Sequence, residues 1–399
     1  MTLLKKICRV SPGSIVTAAF IGPGTITTCI TAGYTQSYSL LSIMIVATII
    51  SIIVQYHAAK VGIITQYGIS GNIRLTITSK VGRFITAFLV ICAIFIGNCA
   101  FEVGNITGAA LGVKLMFGSP SLSFYIVCTT VIVGVLLWQG KLSVIQNILK
   151  IVVILMTICF IIAAAIMRPD LSDIIREMFT LNFNENILLV GALIGTTVGP
   201  YNIFLHSEAA SQSWHSPNDI KTMMADTILS IGMGGIISCC IIVVSASAAN
   251  MLDIHQLSID NFSKALEFPL GLVGQKIFLI GLFSAGISSA ITAPLAASYT
   301  ISALFSEGSI SSKSNLFRSI WCIVLFFGLI ISLLLGSSPA NLILFAQYAN
   351  ALILPLVIMF LLYCLNSTNM GEYKNRPISN FSLSIILLIC LLLVLKNFL

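Results

Sequence analysis

The sequence predicts an all-α polytopic membrane protein, built as two five-helix repeats of inverted topology with an eleventh helix after them. Three observations predict it. Of 399 residues, 57% are hydrophobic and only 8% charged, with a mean hydropathy of +1.04, whereas soluble domains carry about 25% charged residues. The 20 Lys and Arg with the 13 Asp and Glu are too few to cover a water-soluble fold of this size. Eleven apolar runs are each long enough to cross a bilayer, which takes about 20 residues. Finally, a Gly-Pro pair interrupts run 1 and another interrupts run 6, five runs later.

The runs fall near 14–33, 38–59, 84–113, 121–138, 143–167, 187–211, 220–249, 270–304, 317–336, 339–364 and 380–398. Helices are required because every backbone group must be satisfied inside lipid, and barrel strands would be about 10 residues with alternating polar positions. Lys5, Lys6 and Arg9 precede run 1 in the manner of a secretory signal. That run contains Gly-Pro-Gly and more runs follow, so it is expected as a retained first span. Repeat 1 then covers about 14–167, repeat 2 about 187–364, and the extra helix 380–398, in one membrane domain over 1–399.

A cytoplasmic N-terminus places Lys5, Lys6, Arg9, Lys60, Arg74, Lys80, Arg83, Lys141, Lys150, Lys221, Lys313, Arg318, Lys374 and Arg376 inside. Lys114, Arg168, Arg176, Lys264, Lys276 and Lys396 fall outside with Asp170, Asp173, Glu177 and Glu185. This bias obeys the positive-inside rule and puts the C-terminus outside. The net charge of +7 is dispersed and alternates with no aromatic patch, so no nucleic-acid partner is implied. The eleven Cys, among them Cys29, Cys92, Cys128, Cys159, Cys239, Cys240 and Cys390, have no metal-type spacing and read as core or lipid-phase thiols. No cofactor, catalytic constellation or obligate protein partner is indicated.

Run 1 breaks at Gly22-Pro23-Gly24-Thr25, and run 6 at Gly199-Pro200-Tyr201-Asn202 after Thr196. Proline deletes a helical hydrogen bond and clashes with the preceding turn, while glycine removes the side chain that holds helical geometry. One such pair reads as a kink. Two at matching positions of two halves point to a transporter whose freed backbone groups form a midplane substrate site.

Buried polar residues supply the remaining candidates. Asn98, Glu102 and Asn105 are spaced by four and three, and so share a face of run 3. Glu102 is the one acid of thirteen that falls deep in a run, and an intramembrane acid is a candidate proton or cation relay. Its alternative is a neutral carboxyl bonded for helix packing. His206, seven residues after Gly199, either titrates on a proton route or bonds a neighbouring carbonyl. Gln347 and Asn350 of run 10, with Tyr348 between them, line a cavity or join helices by hydrogen bonds. Ser284, Gly286, Ser288, Ser289 and Thr292 form a small-residue packing surface in run 8. Glu208 and Asp226, near the ends of runs 6 and 7, are expected to be solvated.

These residues together resemble the NRAMP family of proton-coupled divalent-metal transporters, which have a LeuT-type fold. The resemblance spans runs 1 to 10. It includes both breaks, Ala59-Lys60-Val61-Gly62-Ile63-Ile64-Thr65, Gly108 to Phe117-Gly118, and Asn202-Ile203-Phe204-Leu205-His206-Ser207. It also takes in Gly281-Leu282, Ala285-Gly286 and Ser288-Ser289 through Thr292, then Gln347 with Leu354-Pro355. Members that move manganese or iron have Asp-Pro-Gly-Asn where this chain has Gly22-Pro23-Gly24-Thr25, and Met-Pro-His-Asn where it has Gly199-Pro200-Tyr201-Asn202. The family's carboxylate, amide and thioether ligands are therefore all replaced. Glu102 matches an acid of the family's proton route, Asn105 stands where the next acid would be, and His206 matches.

Thioether selects soft transition metals, and Gly199 removes it. A dehydrated divalent ion without a counter-charge is unfavourable by several kcal/mol or more. The expected function is thus secondary transport of a cation, foremost a divalent metal taken partly hydrated, with the bilayer as the other partner. The alternatives are a small organic solute such as an amino acid, whose carboxylate would cap a half-helix, and a non-transporting membrane sensor. Compact loops suggest a bacterial inner membrane.

Overall fold

A computed structural model describes residues 12–13, 16, 20–139, 154, 157–180, 187–252, 259–305, 314–335 and 339–396. Lys5, Lys6, Arg9, Lys141, Lys150, Glu185 and Lys313 lie outside the described residues, as does most of the first half of run 5. Fifteen α-helices carry the described chain. The first six are α1 (Pro23–Gln36), α2 (Leu41–Thr65), α3 (Gly68–Thr76), α4 (Lys80–Phe117), α5 (Leu122–Gln139) and α6 (Thr157–Met167). After α7 (Leu171–Met178) come α8 (Ile187–Val198), α9 (Pro200–Ser213), α10 (Ile220–Leu252), α11 (Ile259–Ala265) and α12 (Glu267–Phe305). Then follow α13 (Asn315–Leu335), α14 (Pro339–Leu365) and α15 (Pro377–Lys396).

Nine described helical stretches are long and apolar enough to cross a membrane. The two runs missing from that count are the partly described ones. Run 1 is helical at Pro12, Gly13, Val16 and Phe20 and again in α1, and run 5 is seen as the shorter apolar α6.

Burial is graded across the bundle. In α8 every residue from Leu189 to Val198 is buried, and α9 is buried from Pro200 to Ser207. In α15, by contrast, only Leu383, Ile386 and Cys390 are buried, so this helix presents most of its apolar surface to lipid. The broken helices therefore sit at the centre. Around them α4 packs on α12, α13 and α14, α1 on α10, α2 on α9 and α10, and α8 on α14.

The ends of the helices sort to two sides. Lys60 Nζ reaches Asn375 Oδ1 at 3.4 Å, Gln66 Nε2 donates to Trp214 O at 3.0 Å, and Asn72 Nδ2 donates to Ser367 Oγ at 3.2 Å. These bonds gather the end of α2, α3, the turn after α9 and the turn after α14. Tyr38 N, just before the opposite end of α2, donates to Glu177 Oε2 at 2.9 Å.

Asp226 and Glu208 do not stand in solvent as the sequence suggested. Asp226 is buried in α10, and its Oδ2 accepts from Gly13 N at 2.8 Å, while its Oδ1 is 3.4 Å from Ser230 Oγ. Half-buried Glu208 accepts from Gln212 Nε2 at 3.2 Å and directs Oε2 at Gly68, the first residue of α3. The Glu208 carboxylate near the start of α3 is favoured by the orphan amides and the dipole there, and Asp226 is held in the bundle by the backbone N–H of Gly13.

Candidate functional site: two broken helices and the polar groups between them

The first break is built on Gly22, extended at φ −108° and ψ 178°, with Pro23 as the first residue of α1. A proline costs nothing in that position, where the amide has no helical acceptor. Gly22 N donates to Phe20 O at 3.0 Å, and the Thr25 hydroxyl donates to the same carbonyl. Thr25 thus satisfies a group that the break has freed. Close approach explains the glycines. A Cβ on Gly22 would lie 2.6 Å from Ser289 Oγ, and one on Gly24 would overlap the Gln347 amide.

The second break has the same form. Val198 ends α8, Gly199 turns the chain at φ 9° and ψ 108°, Pro200 opens α9, and Asn202 N donates to Gly199 O at 2.9 Å. The freed carbonyl of Thr197 is taken by Ser51 Oγ of α2 at 2.9 Å. Thr25 Oγ1 and Thr196 Oγ1 meet at 2.7 Å, so the two breaks touch.

Other predicted residues gather to different degrees. Asn105 directs Oδ1 toward the first break, 3.7 Å from a Cβ built on Gly22, and Gly108 of the same helix admits the Pro23 ring. Tyr201 is buried edge-on against Phe101 at 4.8 Å between ring centroids, which fills the space where the second break meets α4. Asn202 Oδ1, Ser289 Oγ, Gln347 Oε1 and Asn105 Nδ2 are all buried without a hydrogen-bond partner. Buried polar atoms are ordinarily paired, so this cluster around the breaks is the strongest mark of a ligand site.

Glu102 is wholly buried, and its carboxyl has the Asn105 amide of the same helix near it, outside the geometry of a regular hydrogen bond. Its stem packs on α13, where a Cβ at Gly328 would lie 2.6 Å from Glu102 Cγ. The face shared by Asn98, Glu102 and Asn105 is thus divided between neighbours. Asn105 faces the break and Glu102 leans on α13, while Asn98 Nδ2 bonds its own helix at Ile94 O, 2.7 Å away. Asn350 likewise donates to its own helix at Ala346 O, 2.8 Å, with Oδ1 against Gly97. His206 lies two turns past the second break, with Nδ1 3.1 Å from Gln55 Oε1 of α2. With the amide oxygen facing the ring, Nδ1 donates, and the buried Nε2 has no partner.

Three contributors escaped the sequence reading. Ser51 and Gln55 are polar residues inside the apolar α2, and their helical spacing of four put them on one face. Ser289 was assigned to packing, and no local signal distinguishes it from its neighbours. Among the described residues, no group of three or more His, Cys, Asp or Glu could hold a metal ion.

Helices broken near mid-length, buried at the bundle centre and touching each other, are the arrangement of inverted-repeat membrane transporters. Solved structures show the same fold. A manganese transporter from Eremococcus coleocola superposes with a TM-score of 0.78 at 20% identity, over 99% of this chain and 87% of that one. MhsT in complex with L-phenylalanine gives 0.65 at 14%, over 97% and 98%. The sequence profile described as natural resistance-associated macrophage protein-like matches residues 13–399, and the chain belongs to this Nramp family. Relatives include the metal transporter Nramp3 of Oryza sativa, 27% identical over 92% of this chain and 69% of its own length. The divalent metal cation transporter MntH of Bradyrhizobium diazoefficiens is 24% identical over 94% and 85%.

Proposed function

We propose that the protein is a secondary transporter of a hard divalent cation, held with part of its water shell between the two helix breaks. The observation that carries this is the donor set. Asn202 Oδ1, Gln347 Oε1 and Ser289 Oγ are buried oxygens without partners around the breaks that the Thr25–Thr196 pair joins, and the Met44 thioether beside the second break lies against the Thr197 hydroxyl at 3.7 Å. Neutral oxygens suit magnesium, calcium or manganese, whereas soft ligands select zinc and copper. An ion that keeps several waters also needs fewer protein charges, as magnesium sites illustrate. Relatives named as metal and divalent metal cation transporters support the same substrate class.

In this reading Glu102 serves as the relay for a coupled proton, and the Gln55–His206 pair lies on the cytoplasmic side of the break. Repeats at about 14–167 and 187–364 supply one broken helix each. The sorting of Lys60, Arg74, Lys374 and Arg376 to one side supports a cytoplasmic face there, with the C-terminus outside and a bacterial inner membrane as the location.

The test is uptake into proteoliposomes, with magnesium, calcium and manganese measured beside a panel of amino acids, with and without a proton gradient. Metal uptake that competes among the three ions is the expected result. Amino-acid accumulation without metal flux at millimolar concentrations would overturn the reading in favour of a solute whose carboxylate meets the half-helix N-termini at Pro23 and Pro200.

A further inference from the structure

Glu102 is walled on two sides by apolar packing. Toward the start of α4, Ile91, Phe95 and Cys99 stand on successive turns and pack with Ala297 of α12 and with Ile320 and Val324 of α13. Those turns span about 12 Å at 1.5 Å per residue. They lie on the side that gathers Lys60 and Asn375, since α3 ends there at Thr76 and α4 begins at Lys80. Toward the other end of α4, Ile106, Ala109 and Ala110 join Ile287, Ala290 and Ile291 of α12. The hydroxyls at that level are committed to each other, with Thr107 Oγ1 donating to Ser332 Oγ at 2.9 Å and Ser332 Oγ to Val103 O at 3.2 Å. Gly328 of α13, against the Glu102 stem, has no side chain to offer.

Among the described residues, the polar neighbours of the carboxyl lead to the helix breaks. The Asn105 amide lies near it and directs Oδ1 toward Gly22. Tyr201, beside Asn202 in the second break, is buried within electrostatic range of it. Cys99 is the other titratable side chain in that range, and the residues named above from α12 and α13 carry no titratable group. Among the described residues, a proton on Glu102 thus has a polar route through the breaks and none along α4 to either face. That is the passage the cation uses in the function proposed above.

Charge sets the relation between the two occupants. A cation at the breaks favours the ionised carboxyl, and a proton on the carboxyl removes the negative charge that draws the cation. Such coupling is reciprocal, so each occupant weakens the binding of the other. From this arrangement we propose that the protein exchanges a divalent cation for a proton. One proton leaves Glu102 into the compartment that delivers the cation, and one returns from the compartment that receives it. A cycle then moves two positive charges one way and one the other. Transport of both in the same direction would need a second proton acceptor between Glu102 and the Lys60 side, where Ile91, Phe95, Ile320 and Val324 stand instead. His206 lies past the second break on α9, on the cation's own passage, and opens no separate way. The exchange rests on the cation transport proposed above and adds to it the direction of the proton.

The test reads the sign of a pH change. The full chain is reconstituted into proteoliposomes with a pH dye in the lumen, and potassium with valinomycin clamps the membrane potential at zero. Magnesium, calcium or manganese added outside should enter, and the lumen should turn alkaline as protons leave. With the lumen made acidic beforehand, accumulation should rise about tenfold per unit of pH difference, the equilibrium ratio for one proton per cation. An alkaline lumen should lower it equally. Glu102→Gln should remove both the lumenal pH change and the effect of the gradient. The sign is read on the parent protein, so the outcome stands even where that variant does not fold. Acidification of the lumen during uptake, or uptake at steady lumenal pH, would overturn the exchange and leave cation transport intact. Absence of uptake for all three cations would instead overturn cation transport, and the exchange with it.

Discussion

The hydroxyls of Thr25 and Thr196 are separated by 171 positions in the chain and by 2.7 Å in space. Because Thr25 donates to Phe20 O, Thr196 is the donor between the two hydroxyls, and each break is held through the other. Interhelical hydrogen bonds inside membranes average about 0.6 kcal/mol in coupling. A double-mutant cycle with Thr25→Val and Thr196→Val, read by chemical unfolding in detergent, should return about that value, and zero coupling would show that the breaks are held apart from this pair. Gly22 carries a sharper steric demand. With Ser289 Oγ 2.6 Å from the position of a Cβ, Gly22→Asp should lower stability by about 1–3 kcal/mol, the range for overpacked sites. Adding Ser289→Gly should recover most of that loss in the same unfolding assay. If it does not, another group obstructs position 22. Once room exists, adding Thr25→Asn and Gly199→Met supplies the family's amide and thioether, and titration calorimetry should then detect manganese binding.

At the scale of the element, the break in span 6 is a designed discontinuity whose orphan groups are provided for. Ser51 takes Thr197 O, and Asn202 N takes Gly199 O. Gly199→Ala with Pro200→Leu restores the residues of a continuous helix and should straighten α8 into α9. Insertion and helix content should persist by circular dichroism while uptake falls to background. Sustained uptake would separate transport from the break. Asp226 offers a second element-level test through its bond to Gly13 N. Loss of a hydrogen bond to a charged group costs about 1.5–3 kcal/mol, so Asp226→Ala should show a loss of that order in unfolding, with a smaller loss in Asp226→Asn. The long helices were legible because run length alone defines them. The run at 339–364 emerges as Pro339–Leu365 and that at 121–138 as Leu122–Gln139. Gly68–Thr76, Leu171–Met178 and Ile259–Ala265 were not legible, being too short to cross and too polar to stand out. The breaks were legible because Gly-Pro acts on its own backbone. Ser289 and Gln55 were not, since each acquires its role only when a distant helix arrives beside it.

For the whole molecule, scarcity of charge governs the chemistry that remains open. With 8% of residues charged, the bundle interior between the breaks contains neutral amides and hydroxyls, and Glu102 is the wholly buried acid nearest to them. Its carboxyl has the Asn105 amide near it, outside the geometry of a regular hydrogen bond, and its stem is seated on Gly328 of α13. An ionised carboxyl there would be without a counter-charge among the described residues, and an unpaired charge within a membrane is costly. On the function proposed above, a cation at the neighbouring break would favour ionisation of Glu102, and a proton would leave as that charge appears. That proposal joins cation movement and proton movement through one side chain. Glu102→Gln keeps the shape and the packing on Gly328 but cannot exchange a proton. Initial rates of cation uptake, followed from pH 5 to 8, should rise with decreasing external proton concentration in the parent protein, where protons compete with the cation. In the variant the curve should be flat, with unfolding in detergent unchanged. A Glu102→Gln protein that keeps the parent's pH profile would transfer the coupling elsewhere, and the buried His206 imidazole, replaced by Gln in the same assay, is the next group to test.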